Sequence, residues 1–195
     1  MEFLTIDFYG IKRQLPLTFI STNKQIATFT IIGDVELTEK TGEELEKQLR
    51  LKNIKPDCFV GPGTNILCLV HHMAKRYHQL RYIILRKSIS NYMISPDVQL
   101  PWRNAPKHAK KLVINGTDGA YVKGKKVVLI DDVVSTGTTI RMLEDMMIRL
   151  GAEVVAKCAI FKQGTRQING LIHLSSLPIY VLAQDGKREL LTEEH

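Results

Sequence analysis

The sequence predicts an α/β fold with a central, mostly parallel sheet flanked by helices, and three observations support this prediction. Apolar runs of strand length alternate with segments of helical periodicity from residue 58 onward. The run Val127–Ile130 is continuously apolar, which is typical of a central strand buried on both faces. With 44% hydrophobic and 24% charged residues among 195, the composition is that of an ordinary globular chain, and residues 1–195 are predicted to form one domain.

The first third of the chain predicts β-hairpins followed by a helix. Residues 15–20 and 25–32 are rich in β-branched and aromatic side chains and flank a polar turn. Thr38 or Thr41 is the predicted N-cap of the helix that follows, because short hydroxyl side chains satisfy the free N–H groups of a first turn.

The later elements alternate between strand and helix. Helices are predicted over residues 65–78 and over the segment before Gly151, where Ile140, Leu143 and Met147 repeat at helical spacing. The predicted strands cover residues 58–60, 82–85, 127–130, 154–161 and 178–182.

Residues 88–121 form a long connection with weak periodicity. It contains three prolines, the only tryptophan of the chain (Trp102) and a basic cluster over 107–111. A connection of this length in a compact domain is usually a functional lid or a disordered segment. We expect Trp102 either to stack on a bound base or to pack, within the chain or at a dimer contact. The basic cluster is expected either to attract an anionic substrate or to form a solvated turn.

The chain carries 27 Lys and Arg residues against 20 Asp and Glu residues, a net charge of +7. This surplus suits a nucleic-acid binder, and it equally suits an enzyme for a highly anionic small substrate. Charge alone therefore does not separate these two classes.

Three features that the sequence lacks narrow the class of protein. No apolar run approaches the roughly 18 residues that a membrane helix needs, so we expect no membrane partner. The first residues lack the basic start and apolar stretch of a secretory signal. The three cysteines are too few and too scattered for a disulfide framework or a thiolate metal cluster. These observations predict a cytoplasmic protein.

The segment 127–139 carries the strongest chemical signal. An apolar strand delivers Asp131 and Asp132 to its carboxyl end, where open α/β sheets bind ligands. A hydroxyl-rich loop that contains Gly137 follows and leads into a helix, whose unpaired N–H groups and dipole suit a phosphate. The carboxylates would then face a sugar diol, a bound Mg²⁺ or both. The implied ligand is a ribose 5-phosphate with a further group attached.

Two other interpretations of this segment are consistent with its residue types. In the first, Asp132 and Ser135 only end a strand and cap a helix. In the second, the segment is the acidic strand of a nucleoside triphosphatase, which also requires a Gly-x4-Gly-Lys-Ser/Thr loop running into a helix. The nearest match, over 119–126, lacks the final hydroxyl and runs into a predicted strand, so we reject this second interpretation.

The run Val127–Thr139 resembles the phosphoribosyl pyrophosphate signature of the type I phosphoribosyltransferases, and the resemblance extends over most of the chain. Arg86 and Lys87 look like the Arg–Lys pair of the adenine phosphoribosyltransferases. Residues 88–121 match the flexible catalytic lid of the family. Residues 1–37 and the C-terminal end would form a small hood that selects the base.

The resemblance implies a role for each matching residue. Asp131 and Asp132 would be the catalytic pair, holding the ribose hydroxyls and helping to organise Mg²⁺ through the bound substrate. The residues implied in binding the 5-phosphate and ribose are Asp131, Asp132, Val133, Val134, Ser135, Thr136, Gly137, Thr138 and Thr139. The residues implied in binding pyrophosphate are Gly61, Pro62, Gly63, Thr64, Arg86 and Lys87.

The base is less well defined by the resemblance. Hypoxanthine-guanine enzymes carry an aspartate where this chain has Ser135, whereas adenine enzymes have a small residue there. The chain departs from the adenine pattern after Lys87 and at Thr138, where a glycine is usual. Adenine is therefore favoured, and xanthine and orotate remain alternatives. Base contacts are expected near residues 161–163, with no side chain singled out.

The resemblance implies transfer of ribose 5-phosphate from phosphoribosyl pyrophosphate to a purine base, with release of pyrophosphate and formation of a nucleoside monophosphate in purine salvage. A homodimer is expected from the family. The alternative is a non-catalytic regulator that senses phosphoribosyl pyrophosphate or nucleotides. Such repressors usually add a helix-turn-helix domain, so a nucleic-acid partner is not expected.

Overall fold

A computed structural model describes residues 2–106, 109–183 and 188–191 of the chain. Its four helices in this described part are α1 (Val35–Leu51), α2 (Leu67–Arg76), α3 (Gly116–Val122) and α4 (Thr138–Arg149). The strands are β1 (Phe3–Phe8), β2 (Ile11–Phe19), β3 (Lys24–Ala27), β4 (Cys58–Pro62), β5 (Ile83–Leu85), β6 (Asp97–Gln99), β7 (Leu112–Ile114), β8 (Lys126–Val134), β9 (Glu153–Gln163), β10 (Leu171–Leu177), β11 (Ile179–Leu182) and β12 (Arg188–Leu190).

The central sheet has five parallel strands in the order β10-β9-β8-β4-β5, which confirms the predicted fold class. Its middle strand, β8, is buried on both faces, as the apolar run predicted. Val128 and Ile130 pack toward α1 and α2, whereas Val127 and Leu129 pack toward α3 and α4. β8 also continues to Val134, so the two aspartates belong to the strand itself.

A second, antiparallel sheet forms the hood in the order β1-β2-β3-β11-β12. The N-terminal hairpins and the C-terminal segment therefore join as predicted. Residues 178–182, however, contribute β11 to this hood by pairing with β3, and not a further strand of the parallel sheet. The edge strand of the parallel sheet is β10, which the sequence analysis did not predict because its residues are only half-buried and weakly patterned.

The predicted strand over residues 25–32 ends early, at Ala27. Phe29 and Ile31 are buried between exposed neighbours, so the apolar alternation of a strand continues. These residues alternate because they pack into the core beside α1, and they do not belong to a sheet ladder.

The N-cap of α1 is Asp34, so the prediction of Thr38 or Thr41 was wrong. Asp34 accepts a 3.0 Å hydrogen bond from the Leu37 N–H and forms an ion pair with Arg13. An aspartate at this position satisfies a free N–H and also places negative charge at the positive end of the helix. Thr38 instead donates its hydroxyl proton to the Asp34 carbonyl, one turn inside the helix.

The connection 88–121 contains more regular structure than its composition predicted. β6 pairs with β7, and β7 is buried beside β5 through an Arg86–Val113 bridge. Leu112, Val113 and Ile114 are therefore part of the folded core. The lid over residues 88–121 stays a prediction, and the name lid segment is used below for its residues 88–111. Within the predicted basic cluster, Lys107 and His108 lie outside the described residues.

The remaining structural expectations concern the membrane and the cysteines. Within the described ranges, no helix has the length and apolar character required to cross a membrane. Cys58 and Cys158 are buried free thiols, and Cys68 is a half-buried one.

Candidate active site

The carboxyl edge of the parallel sheet carries a cavity of about 300 Å³. Four stretches of chain line it: residues 62–65 after β4, Lys87 after β5, residues of the lid segment with Leu112, and residues 131–140 at the end of β8 and the start of α4. The structure therefore brings the predicted phosphate loop and most of the predicted pyrophosphate loop to one place. This convergence follows from the topology, because parallel neighbouring strands end at the same edge.

The phosphate loop, residues 135–139, leads directly into α4. Gly137 is the N-cap residue and adopts a left-handed conformation, with φ of 76°. Gly137 has no side chain to cap the helix, and the Thr136 hydroxyl, 2.9 Å from that of Thr138, accepts the Thr138 N–H at 3.4 Å. The free N–H groups of the turn and the helix dipole together form an anion site that is suited to a phosphate.

Ile168, in the loop between β9 and β10, packs against the phosphate loop. A β-carbon on Gly137 would lie 2.5 Å from Ile168 Cδ1, so this contact excludes any larger residue. Ile168 could not be predicted from the sequence because it belongs to no motif and approaches the loop only through the tertiary fold.

Asp131 and Asp132 stand side by side at the end of β8. Asp131 is only 7% exposed, and its Oδ1 accepts a 3.0 Å hydrogen bond from the Asp132 N–H. Burial and, next, the neighbouring Asp132 carboxylate raise the pKa of Asp131 well above its ordinary value, while the Lys87 ammonium opposes this shift. The raised pKa means that a cation or a set of hydroxyl donors brought by a ligand would stabilise the charged pair.

Lys87 extends over residues 61–64, the predicted pyrophosphate loop. Its Cε lies 3.6 Å from the position that a β-carbon on Gly63 would occupy. Gly63 has a φ of 61° and donates its N–H to the Leu85 carbonyl at 2.5 Å. The left-handed glycine thus turns the loop toward the cavity and leaves the backbone open to the lysine and to a ligand.

Two of the predicted pyrophosphate residues do not line the cavity. Gly61 is buried where α2 crosses β4, and a β-carbon there would lie 2.6 Å from Ile66 and 2.7 Å from Val70. The Arg86 guanidinium hydrogen-bonds the Tyr92 hydroxyl and stacks 5.7 Å from the Tyr92 ring centroid. The structure therefore gives Gly61 a packing contact and holds Arg86 against Tyr92 of the lid segment.

Two lid-segment residues, Ala109 and Lys110, line the cavity together with Leu112. The sequence placed Lys110 in a basic cluster but did not separate it from its neighbours. Only the tertiary fold shows that Lys110 faces the same cavity as Lys87.

Of residues 161–163, Phe161 and Gln163 join the hood to the central sheet. The Phe161 ring packs 5.4 Å from Phe8 and 4.7 Å from Phe29, between ring centroids. Lys162 donates to the Gln163 carbonyl, and Gln163 donates to the Ala27 carbonyl of β3. None of these three described side chains lines the cavity, so the predicted base contacts near this strand remain a prediction.

Among the described residues, no group of three or more His, Cys, Asp or Glu side chains is placed to hold a metal ion. Mg²⁺ usually takes one or two carboxylates and completes its shell with water and substrate phosphates. The Asp131–Asp132 pair beside an anion site fits an ion of this kind, provided that the substrate brings the phosphates.

Comparison with known sequences gives a family and several distant relatives. Residues 30–177 match the family described as "Phosphoribosyl transferase domain". An orotate phosphoribosyltransferase from Staphylococcus saprophyticus is 35% identical over 69 residues, which cover 35% of this chain and 34% of the relative. The bifunctional protein PyrR from Limosilactobacillus fermentum is 28% identical over 134 residues, covering 68% of this chain and 71% of the relative. The first two orotate relatives are matched over 34% and 45% of their own lengths.

Comparison with solved structures supports the same fold. The adenine phosphoribosyltransferase from Thermoanaerobacter pseudethanolicus superposes with a TM-score of 0.61 at 19% identity, covering 89% of this chain and 95% of that one. At this identity the likeness concerns the fold alone. The family match spans well over half of the chain. It includes the aspartate pair and both predicted loops, residues 61–64 and 135–139. The chain belongs to the phosphoribosyl transferase domain family, as the signature at residues 127–139 predicted.

Proposed function

We propose that this protein transfers ribose 5-phosphate from phosphoribosyl pyrophosphate to a purine base, with adenine favoured, and releases pyrophosphate. The observation that carries the proposal is the meeting of three chemically different groups in one cavity. These are the open N-terminus of α4, the Asp131–Asp132 pair and the Lys87 ammonium beside the Gly63 turn. The open N-terminus suits the 5-phosphate of this substrate, the aspartate pair suits its ribose diol, and the lysine suits its diphosphate.

The phosphate loop holds the 5-phosphate. The first N–H groups of α4 and the hydroxyls of Thr136, Thr138 and Thr139 donate to the phosphate oxygens, and Gly137 lets the backbone approach closely. Anchoring at this end fixes the ribose so that its anomeric carbon points along the cavity. This positioning lowers the entropic part of the barrier.

The aspartate pair holds the ribose hydroxyls. Each carboxylate accepts hydrogen bonds from the diol, and these donors offset the repulsion that raises the pKa of Asp131. As the bond to pyrophosphate lengthens, positive charge develops on the ribose ring. The nearby carboxylates stabilise that charge because they are held in place before the reaction begins.

The departing pyrophosphate is neutralised at the other end of the cavity. Lys87 and Lys110 bring two positive charges, and the turn at Gly63 presents backbone to the same space. Closure of the lid segment would exclude water, so that the base and not water attacks the anomeric carbon. When bound with the diphosphate, Mg²⁺ supplies further neutralisation of the leaving group, and Asp131 and Asp132 are the residues that would hold it.

The preference for a purine is supported by the small side chain of Ser135, which lines the cavity and leaves space for a ring. The Thermoanaerobacter enzyme is an adenine phosphoribosyltransferase, whereas the Staphylococcus relative acts on orotate by its name. We therefore keep orotate and xanthine as the alternative bases. A cytoplasmic homodimer belongs to the same proposal, and light scattering of the purified protein tests the dimer.

The deciding experiment incubates the protein with phosphoribosyl pyrophosphate, Mg²⁺ and, separately, adenine, guanine, hypoxanthine, xanthine or orotate. Pyrophosphate release and the nucleotide formed are both measured. We expect turnover with adenine and its loss in the double variant Asp131→Asn/Asp132→Asn. Turnover with orotate alone would correct the base, and ligand binding without turnover on any base would favour a regulator.

A further inference from the structure

Trp102, the only tryptophan, lies against the helix that carries the phosphate loop. The Arg141 guanidinium of α4 stacks over the Trp102 ring at 4.9 Å from the centroid. Trp102 is 36% exposed, so about two-thirds of its surface is covered. The ring therefore docks the lid segment onto α4 at its first turns.

Arg141 also holds the phosphate loop. Its backbone N–H donates to the Gly137 carbonyl at 3.1 Å, and its side-chain Nε donates to the same oxygen at 3.4 Å. The Arg141 side chain thus contacts both the Gly137 carbonyl of the phosphate loop and the Trp102 indole of the lid segment.

A second arginine fixes the direction of this part of the lid segment. Arg149, two turns further along α4, bonds the Asp97 carboxylate at 3.0 Å and the Gln99 side chain. The two arginines are eight positions apart, which corresponds to about 12 Å along the helix. Residues 97–102, which we call the arm, therefore run along α4 from Arg149 toward the phosphate loop.

We propose that Arg141 is a positioning residue that couples the arm to the phosphate loop by holding Trp102 and the Gly137 carbonyl at once. The proposal rests on the proposed function. A phosphate bound at the first turn of α4 would accept the Thr138 N–H in place of the Thr136 hydroxyl. This would reorient the Gly137–Thr138 peptide and with it the carbonyl oxygen that Arg141 Nε contacts. The oriented guanidinium then presents a flat cation to the indole. By thermodynamic reciprocity, a docked arm must strengthen phosphate binding as much as phosphate strengthens docking.

The single tryptophan makes this coupling directly measurable, because its emission reports one site. Wild-type protein is titrated with ribose 5-phosphate and with Mg²⁺–phosphoribosyl pyrophosphate, following Trp102 emission and, in parallel, heat by calorimetry. We expect a saturable change in emission with the same dissociation constant as the heat. Binding by calorimetry with unchanged emission overturns the coupling alone, whereas absence of binding by either ligand overturns the proposed function as well.

Matched variants separate coupling from simple charge. Arg141→Met and Trp102→Leu should each weaken ribose 5-phosphate binding by about two- to fivefold, the range that one exposed cation–π contact supports. Arg149→Met removes an arginine from the same helix and loosens the far end of the arm but leaves the Gly137 contact intact, so binding should weaken less than in Arg141→Met. Trp102→Phe keeps an aromatic face and should restore most of the affinity.

Three results would contradict the coupling. If Arg141→Met weakens binding and Trp102→Leu does not, Arg141 acts on the phosphate by itself. If Arg149→Met weakens binding as much as Arg141→Met, the effect is one of net charge. If the emission change of Arg141→Met on saturation equals that of the wild type, the arginine does not connect the two sites.

Discussion

Ile168 lies so close to Gly137 that a β-carbon on the glycine would come within 2.5 Å of the isoleucine Cδ1. The same glycine needs a φ of 76°, which costs an L-residue about 1–2 kcal/mol. Steric closeness and backbone conformation therefore demand glycine here independently.

We expect Gly137→Ala to destabilise the fold and to weaken binding of ribose 5-phosphate at least tenfold, because the phosphate loop must shift away from Ile168. Chemical denaturation and calorimetry measure the two effects. In the double variant Gly137→Ala/Ile168→Ala, the steric part is relieved and the backbone part remains. A single variant that binds as the wild type does would show that the loop adapts freely.

Asp131→Asn should stabilise the protein at neutral pH while abolishing turnover. Burial and Asp132 raise the pKa of Asp131 above its ordinary 3.8, so the folded state binds the proton more tightly than the unfolded state. The favourable contribution of this carboxyl is thus complete below pH 3.8 and is lost as the pH rises through the raised pKa.

The asparagine variant does not lose stability as the pH rises, because its amide carries no charge. It still keeps an oxygen that accepts the Asp132 N–H. Its melting temperature should exceed that of the wild type at pH 7 and approach it under acid conditions, with about 2–4 °C for each kcal/mol in a chain of this length. Equal melting curves at pH 7 would argue against a raised pKa.

Lys87→Met should raise the KM for phosphoribosyl pyrophosphate by about tenfold, the effect of losing one charge-assisted hydrogen bond. It should also move the rising limb of the pH–rate profile to higher pH, because the ammonium lowers the pKa of Asp131. Lys111→Met is the control, since that exposed lysine does not line the cavity. Equal effects of the two variants would mean that the lysines act only through net charge.

Gly61→Ala tests whether Gly61 is needed for packing or for ligand binding in the predicted pyrophosphate loop, residues 61–64. Its β-carbon would overlap Ile66 and Val70, and overpacking of this kind costs about 1–3 kcal/mol. We therefore expect a lower melting temperature, with the KM for phosphoribosyl pyrophosphate changed much less than by Lys87→Met.

Gly119→Ala in α3 is the matched control for this variant. Its β-carbon would meet Leu150 at an ordinary 3.4 Å, so it should stabilise the helix by about 0.5–1 kcal/mol. A large rise in KM for Gly61→Ala at unchanged stability would return Gly61 to the ligand site.

Much of the site was predictable because its signals are local in the chain. The apolar run of β8 is buried on both faces by its own composition, and the aspartates follow it directly. The loop with Gly137 must then reverse into a helix, and the free first turn of any helix attracts an anion. Neighbouring residues alone were enough to predict these features.

The sequence by itself thus determined the strand, the paired aspartates and the phosphate loop, since each depends on contacts within a few residues. The tertiary structure alone decided that Lys87 and not Arg86 lines the cavity, that Gly61 packs against α2, and that residues 178–182 complete the hood. The physical reason is that strand pairing and side-chain packing join residues far apart in the chain, and such contacts leave the local pattern of polar and apolar residues unchanged.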